Sequence, residues 1–221
     1  MSMRLYLDSA DAAELGRVLP SPLVAGVTTN PTLMRRAGLG WGDLPDLLRR
    51  LDDLGVSTVH VQVRHADADG MLRDARAYLA LGSPATVITK LPATRAGFAA
   101  ARVLTAEGAP VTMTAVVEPE QVLWSALVGA RYAAPYLGRM DESGRDGLAV
   151  VGAMQGVVRT YGAAGEPALR LLVASIRSRE AFRDLLRLGV GAVTVPVPLF
   201  EALTEHESTL AAERAFLADA S

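Results

Sequence analysis

Residues 85–117 read ATVITKLPATRAGFAAARVLTAEGAPVTMTAVV. A short apolar run rich in β-branched residues, Ala85–Lys90, has the character of a strand. The stretch at 94–107 has helical spacing, and Gly108 follows it where a helix end favours a left-handed residue. A second strand-like run, Pro110–Val117, comes next. Strand, helix and strand in that order form the repeating unit of a parallel sheet.

The unit recurs in both directions along the chain. Further strand-like runs are Arg4–Asp8, Leu23–Thr28, Ser57–Arg64, Arg131–Leu137, Leu169–Ser175 and Ala192–Pro196. Helical stretches fall near 9–18, 43–54, 68–81, 118–129, 145–160, 178–188 and 198–218. Asp11 and Glu14 have the spacing of a capping box, and Pro119 sits in the first turn of a helix opening with Glu118. Gly55, Gly82, Gly129 and Gly189 repeat the stop seen at Gly108. Eight alternating units predict an α/β fold, a single (β/α)8 TIM barrel over residues 1–221, with an open doubly wound sheet as the alternative. No linker-like or low-complexity segment divides the chain. The last helix carries Phe200, Leu203, Leu210, Phe216 and Leu217, a spacing that suits packing on a neighbour or on its own barrel.

Composition narrows the function. The 221 residues are half apolar with a net charge of −2, so no basic surface points to nucleic acid or an anionic membrane. No cysteine is present, which removes disulfides, thiol nucleophiles and thiolate zinc sites. His60, His65 and His206 share no metal-ligand spacing, and no phosphate-loop or dinucleotide glycine pattern occurs. No apolar run reaches membrane-spanning length, and acidic residues appear early at the N-terminus, so a cytoplasmic location is expected.

Arginine occurs 21 times and lysine once, at Lys90. A guanidinium stays protonated, whereas an ammonium can lose its proton when desolvated and become a nucleophile. Base composition explains the bias towards arginine, and it makes the one surviving amine more informative. Lys90 shares a strand face with residues 86 and 88. It lies either inside the barrel mouth or on a strand end with its amine in solvent.

Barrel active sites collect at the C-terminal strand ends. The polar residues there are Asp8, Thr28, Asn30, Gln62, Lys90, Thr114, Tyr136 and Ser175. Each has a structural alternative. Asp8 can cap the next helix, and Thr28 and Asn30 can form a turn before Pro31. Gln62 can make a structural hydrogen bond, and Tyr136 can be core. Ser175, Arg139 and Arg177, with a following helix N-terminus, have the makings of a phosphate site, although each arginine can also be a solvated surface residue.

Several segments resemble the transaldolase family. Gly-Val-Thr-Thr-Asn-Pro-Thr at 26–32 is similar to its GVTTNPS signature. Leu-Tyr-Leu-Asp-Ser at 5–9, Lys-Leu-Pro-Ala-Thr-Arg-Ala-Gly at 90–97, Thr-Ala-Val-Val at 114–117, the stretch 129–141, Val-Ala-Ser-Ile-Arg at 173–177 and Val-Thr-Val-Pro at 193–196 continue it. The short length resembles the small transaldolases and the fructose-6-phosphate aldolases. The resemblance implies a β/α barrel with a Schiff-base lysine on strand 4, matching Lys90, and no cofactor beyond that covalent imine. Gln62 and Tyr136 resemble the aldolase branch, where Gln, Thr and Tyr at the positions of Gln62, Thr114 and Tyr136 hold the catalytic water. Val117 and Glu118 depart from the family, which often has an aromatic residue and then Ser or Gly there, and the segment 138–147 looks more like the small transaldolases.

The expectation is therefore a class I aldolase acting between a dihydroxyacetone unit and an aldehyde such as glyceraldehyde 3-phosphate. The alternatives are a transaldolase and, in another class, a non-catalytic barrel used for binding. Lys90, Tyr136, Gln62, Thr114 and Asp8 are the expected catalytic set. Thr28, Asn30, Arg139, Ser175 and Arg177 are expected to bind a sugar or sugar phosphate. The resemblance also implies a homo-oligomer, a pentamer or decamer.

Overall fold

The computed structural model describes residues 3–161 and 169–220. The eight strands are β1 (Arg4–Asp8), β2 (Gly26–Thr28), β3 (Thr58–Gln62), β4 (Thr86–Pro92), β5 (Val111–Val116), β6 (Tyr132–Pro135), β7 (Arg170–Val173) and β8 (Ala192–Val195). All neighbours pair in parallel, and β1 closes on β8, so the sheet is a (β/α)8 barrel and not an open one. The helices are α1 (Ala12–Leu15), α2 (Pro31–Arg36), α3 (Leu44–Asp53), α4 (Ala68–Leu79), α5 (Arg95–Ala106), α6 (Pro119–Leu127), α7 (Leu137–Glu142), α8 (Gly147–Tyr161), α9 (Arg179–Leu188), α10 (Val197–Thr204) and α11 (Glu207–Asp219).

The two-residue period of each strand sorts its side chains. One face, with Leu7, Val59, Val61, Leu91, Met113, Val173 and Val193, packs outward against the helices in the main core. The other face fills the lumen, where Tyr6, Ile88, Tyr132, Ala134, Leu172 and Ala192 form a separate inner cluster. Ile88 belongs to that inner cluster, so Lys90, two residues on, opens into the lumen above it.

The five glycine stops read from the sequence, Gly55, Gly82, Gly108, Gly129 and Gly189, all have positive φ. Gly97 serves a different need. A Cβ there would collide with the Pro92 carbonyl, so only glycine lets α5 begin this close to the end of β4. Thr94 caps the same helix by accepting from the Gly97 N–H at 3.1 Å.

Local differences from the expectation have local causes. The helix expected at 9–18 is one turn, and the capping box is incomplete. Asp11 accepts from Ala13 and Glu14 N–H groups, but Glu14 takes its hydrogen bond from the Ser9 hydroxyl at 2.6 Å. The short α2 and α7 follow β2 and β6 directly, so the sixth strand ends at Pro135 and Tyr136 begins a helix instead. The stretch 198–218 is two helices, broken where Glu205 adopts an extended conformation. Phe200 of α10 is buried, whereas no residue of α11 is. Phe216 is 71% and Leu217 64% exposed, so α11 does not cover its own barrel.

Candidate functional site

Lys90 is 5% exposed, and its Nζ donates to the Thr29 carbonyl at 2.8 Å. The amine is thus inside the mouth and not in solvent. In register, Lys90 stands between Gln62 of β3 and Thr112 of β5. The Thr29 carbonyl belongs to the turn between β2 and α2, which holds its own shape because Thr29 Oγ1 donates to the His60 carbonyl at 3.0 Å and Asn30 caps α2.

Asp8 does not cap a helix. Its Oδ1 accepts from the Thr28 hydroxyl at 2.6 Å, and Thr28 also meets the Thr194 hydroxyl at 2.7 Å. The three residues come from the adjacent ends of β1, β2 and β8. Burial raises the Asp8 carboxyl above its ordinary value, with the nearby Lys90 charge and the Thr28 hydrogen bond pulling the other way. Asp8 can therefore hold a proton more readily than a surface carboxylate.

On the opposite side, the Thr114 hydroxyl lies 2.7 Å from the Tyr136 hydroxyl. Thr114 is buried and Tyr136 half-buried, so Tyr136 keeps a polar end in the mouth. The strand next to Thr114 is strained. Ala115 has φ of 57° at a register shift between β5 and β6, a region that side chains seldom adopt. Gln62, half-buried at the end of β3, completes this arc.

The anion-binding candidates gather at the β6 and β7 ends. Ser175 has φ of 61°, and its carbonyl accepts the Gly138 N–H at 3.0 Å. A Cβ on Gly138 would strike Ser175 and Arg177, so this glycine lets α7 approach them. The Arg139 guanidinium lies 5.3 Å from the centre of the Tyr136 ring. Arg177 forms an ion pair with Glu142 at 2.6 Å, so it is exposed but engaged. Asn30 accepts from Leu33 N–H at 3.0 Å, so its structural role is to cap α2 and not the turn expected before Pro31, and its NH2 group is uncommitted to the cap.

Sequence reasoning missed three parts of the site. The Thr29 carbonyl is backbone chemistry that no side-chain pattern reveals. Thr194 has an in-register signal, since 192 and 194 share the lumen face. His60 lies two residues before Gln62 on the same face, wholly buried, with Nδ1 3.0 Å from the Thr112 hydroxyl. It lies edge-on to Tyr6 and Tyr132 in the floor below Lys90. Burial, with the Lys90 and Arg131 charges adding to it, pushes the His60 pKa well down, which makes the ring neutral. Among the described residues, no group of three or more His, Cys, Asp or Glu could hold a metal ion.

The barrel, the strand-4 lysine and the residues around it set up the comparison with known proteins. The chain matches the profile "Transaldolase/Fructose-6-phosphate aldolase" over residues 5–221. It belongs to the transaldolase/fructose-6-phosphate aldolase family. Its relatives include a "Probable transaldolase" of Anaeromyxobacter dehalogenans, 36% identical over 98% of this chain and 96% of that one. A "Probable transaldolase" of Coprothermobacter proteolyticus is 34% identical over 98% and 96% of the two chains. A "Probable transaldolase 2" of Listeria monocytogenes is 33% identical over 98% and 95%. The transaldolase/fructose-6-phosphate aldolase match runs from β1 through α11, so every strand that contributes to the mouth lies within it. Among the described residues of this family member, no helix is long and apolar enough to cross a membrane.

Proposed function

We propose that this family member is a cytoplasmic Schiff-base aldolase that makes and breaks the bond between a dihydroxyacetone unit and an aldehyde. One observation carries the reading: the single lysine is an amine buried in the barrel mouth, with Asp8 on one side and the Thr114–Tyr136 pair on the other.

The neutral Lys90 amine attacks the C2 carbonyl of a ketose, and loss of water gives an iminium. The C4 hydroxyl then loses its proton, the C3–C4 bond breaks, and the iminium takes up the electron pair as an enamine. The aldehyde leaves. Protonation of the enamine carbon and hydrolysis free the three-carbon ketone and restore the amine. Tyr136, hydrogen-bonded to Thr114, delivers or removes the proton through a water that Gln62 also holds. Asp8 serves as acid or base beside Lys90, and Thr28 and Asn30 orient substrate hydroxyls. Ser175, Arg139 and Arg177 bind the phosphate of a phosphorylated aldehyde end.

A transaldolase is the second reading, favoured by the names of the relatives and by the segment 138–147. In that case the enamine waits for a second aldehyde. Incubating the protein with fructose 6-phosphate, reducing with borohydride and mapping the peptides tests the shared chemistry. The expected result is a three-carbon adduct on Lys90, and its absence under conditions that trap a known Schiff-base aldolase overturns both enzyme readings. Fructose 6-phosphate alone then separates them. Steady release of dihydroxyacetone supports the aldolase, and turnover only with added erythrose 4-phosphate supports the transferase. Native mass measurement tests the homo-oligomer that belongs to the same reading.

A further inference from the structure

Glu142 ends α7, three residues after Arg139, and so occupies the same helix face one turn on. Its carboxylate pairs with Arg177 at 2.6 Å, and both side chains are 56% exposed. The hydrogen bond from Arg177 holds the Glu142 carboxyl below its ordinary range, against slight burial, with the Arg177 and Arg139 charges adding to the effect. It is therefore an anion at neutral pH that feels both arginines. The neighbouring Asp141 also acts on Arg177 by its charge, but its Oδ1 accepts the Gly147 N–H at 3.0 Å, and the contact with Arg177 is made by Glu142. Glu142 is thus the carboxylate in contact with Arg177, the guanidinium that lies beside Ser175 at Gly138.

A carboxylate and a phosphate monoester use the same donors on a guanidinium. They cannot both take the face of Arg177 that Glu142 now holds. An exposed pair of this kind is held weakly, so displacement is easy. The charge does not leave with the contact, however. Glu142 stays on α7 beside the incoming dianion, and like charges at short range repel. An aldehyde without a phosphate meets no such opposition. We propose that Glu142 is a specificity-determining residue, a resident anion that competes with the substrate phosphate for Arg177 and narrows the advantage of phosphorylated over unphosphorylated substrates. This rests on the reading of Ser175, Arg139 and Arg177 as the phosphate site.

The test compares glyceraldehyde 3-phosphate with glyceraldehyde as acceptors for dihydroxyacetone, in wild type, Glu142→Gln and Arg177→Ala. Glutamine keeps the size and loses the charge. The ratio of KM for the phosphorylated to the unphosphorylated acceptor is expected to fall about three- to tenfold in Glu142→Gln, the scale of one partly screened charge contact. Inorganic phosphate becomes a better competitive inhibitor by a similar factor. In Arg177→Ala the same ratio rises. A ratio that stays within twofold of wild type or rises in Glu142→Gln, while Arg177→Ala still raises it, overturns the role of Glu142 and leaves the phosphate site standing. If Arg177→Ala has no effect on the ratio, the phosphate-site reading fails and the role of Glu142 fails with it.

Discussion

Two side chains of the mouth carry opposite expectations. Tyr136→Phe removes the hydroxyl that meets Thr114 but keeps the ring under Arg139. The expected outcome is a fall in kcat on the order of 10²-fold, with the borohydride adduct on Lys90 still forming. Loss of both would mean that Tyr136 acts in imine formation and not after it. Asp8 is held above the ordinary carboxylate value by burial. A raised carboxyl binds its proton more tightly in the folded chain, so its contribution is favourable at low pH and is lost as pH rises through that raised value. Asp8→Asn should therefore raise Tm by a few degrees at neutral pH while lowering kcat, measured by calorimetry and steady-state assay. A lower Tm would show that the Lys90 and Thr28 contacts outweigh the burial.

At the scale of elements, α5 is fixed to β4 by a contact that tolerates no side chain. Gly97→Ala brings its methyl group against the Pro92 carbonyl. The expected cost is about 1–3 kcal/mol of stability, read by denaturant unfolding, with a loss of activity larger than that of a surface Ala substitution because β4 carries Lys90. Much at this scale was legible beforehand. Alternating β and α runs set the barrel, and the stops at Gly55, Gly82, Gly108, Gly129 and Gly189 all proved left-handed. What was not legible has a shared physical reason. Six-residue helices such as α2 and α7 span under two turns and show no clear period. The break at Glu205 depends on backbone angles, not on a proline or glycine. The pairing of Arg177 with Glu142 joins residues 35 apart whose types are common on any surface. The Thr29 carbonyl, which holds Lys90, has no signature in side chains at all.

For the whole molecule, acid stability should be governed partly by the lumen floor. His60 is wholly buried and its pKa lies well below 6.5, because of burial and then the Lys90 and Arg131 charges. Tyr6, Tyr132 and Thr112 complete its surroundings. A depressed histidine adds stability that is fully present above its unfolded value and is lost as pH falls below it. The expected slope is about 1.4 kcal/mol per pH unit below ~6.5. His60→Phe should flatten that slope in urea titrations run from neutral to mildly acid pH, whatever it does to absolute stability. An unchanged slope would mean that His60 is protonated in the native barrel. The same floor has a further consequence. Among the described residues, Tyr6, His60, Ile88 and Tyr132 are all fully buried beneath the lysine, so they close the lumen below it and leave the mouth as the door to Lys90. On the proposed route, ketose, aldehyde and the water shed or consumed at the imine all share that door. The choice between hydrolysis and transfer then becomes a matter of traffic: whichever visitor crosses the threshold next, water or a second aldehyde, meets the waiting enamine.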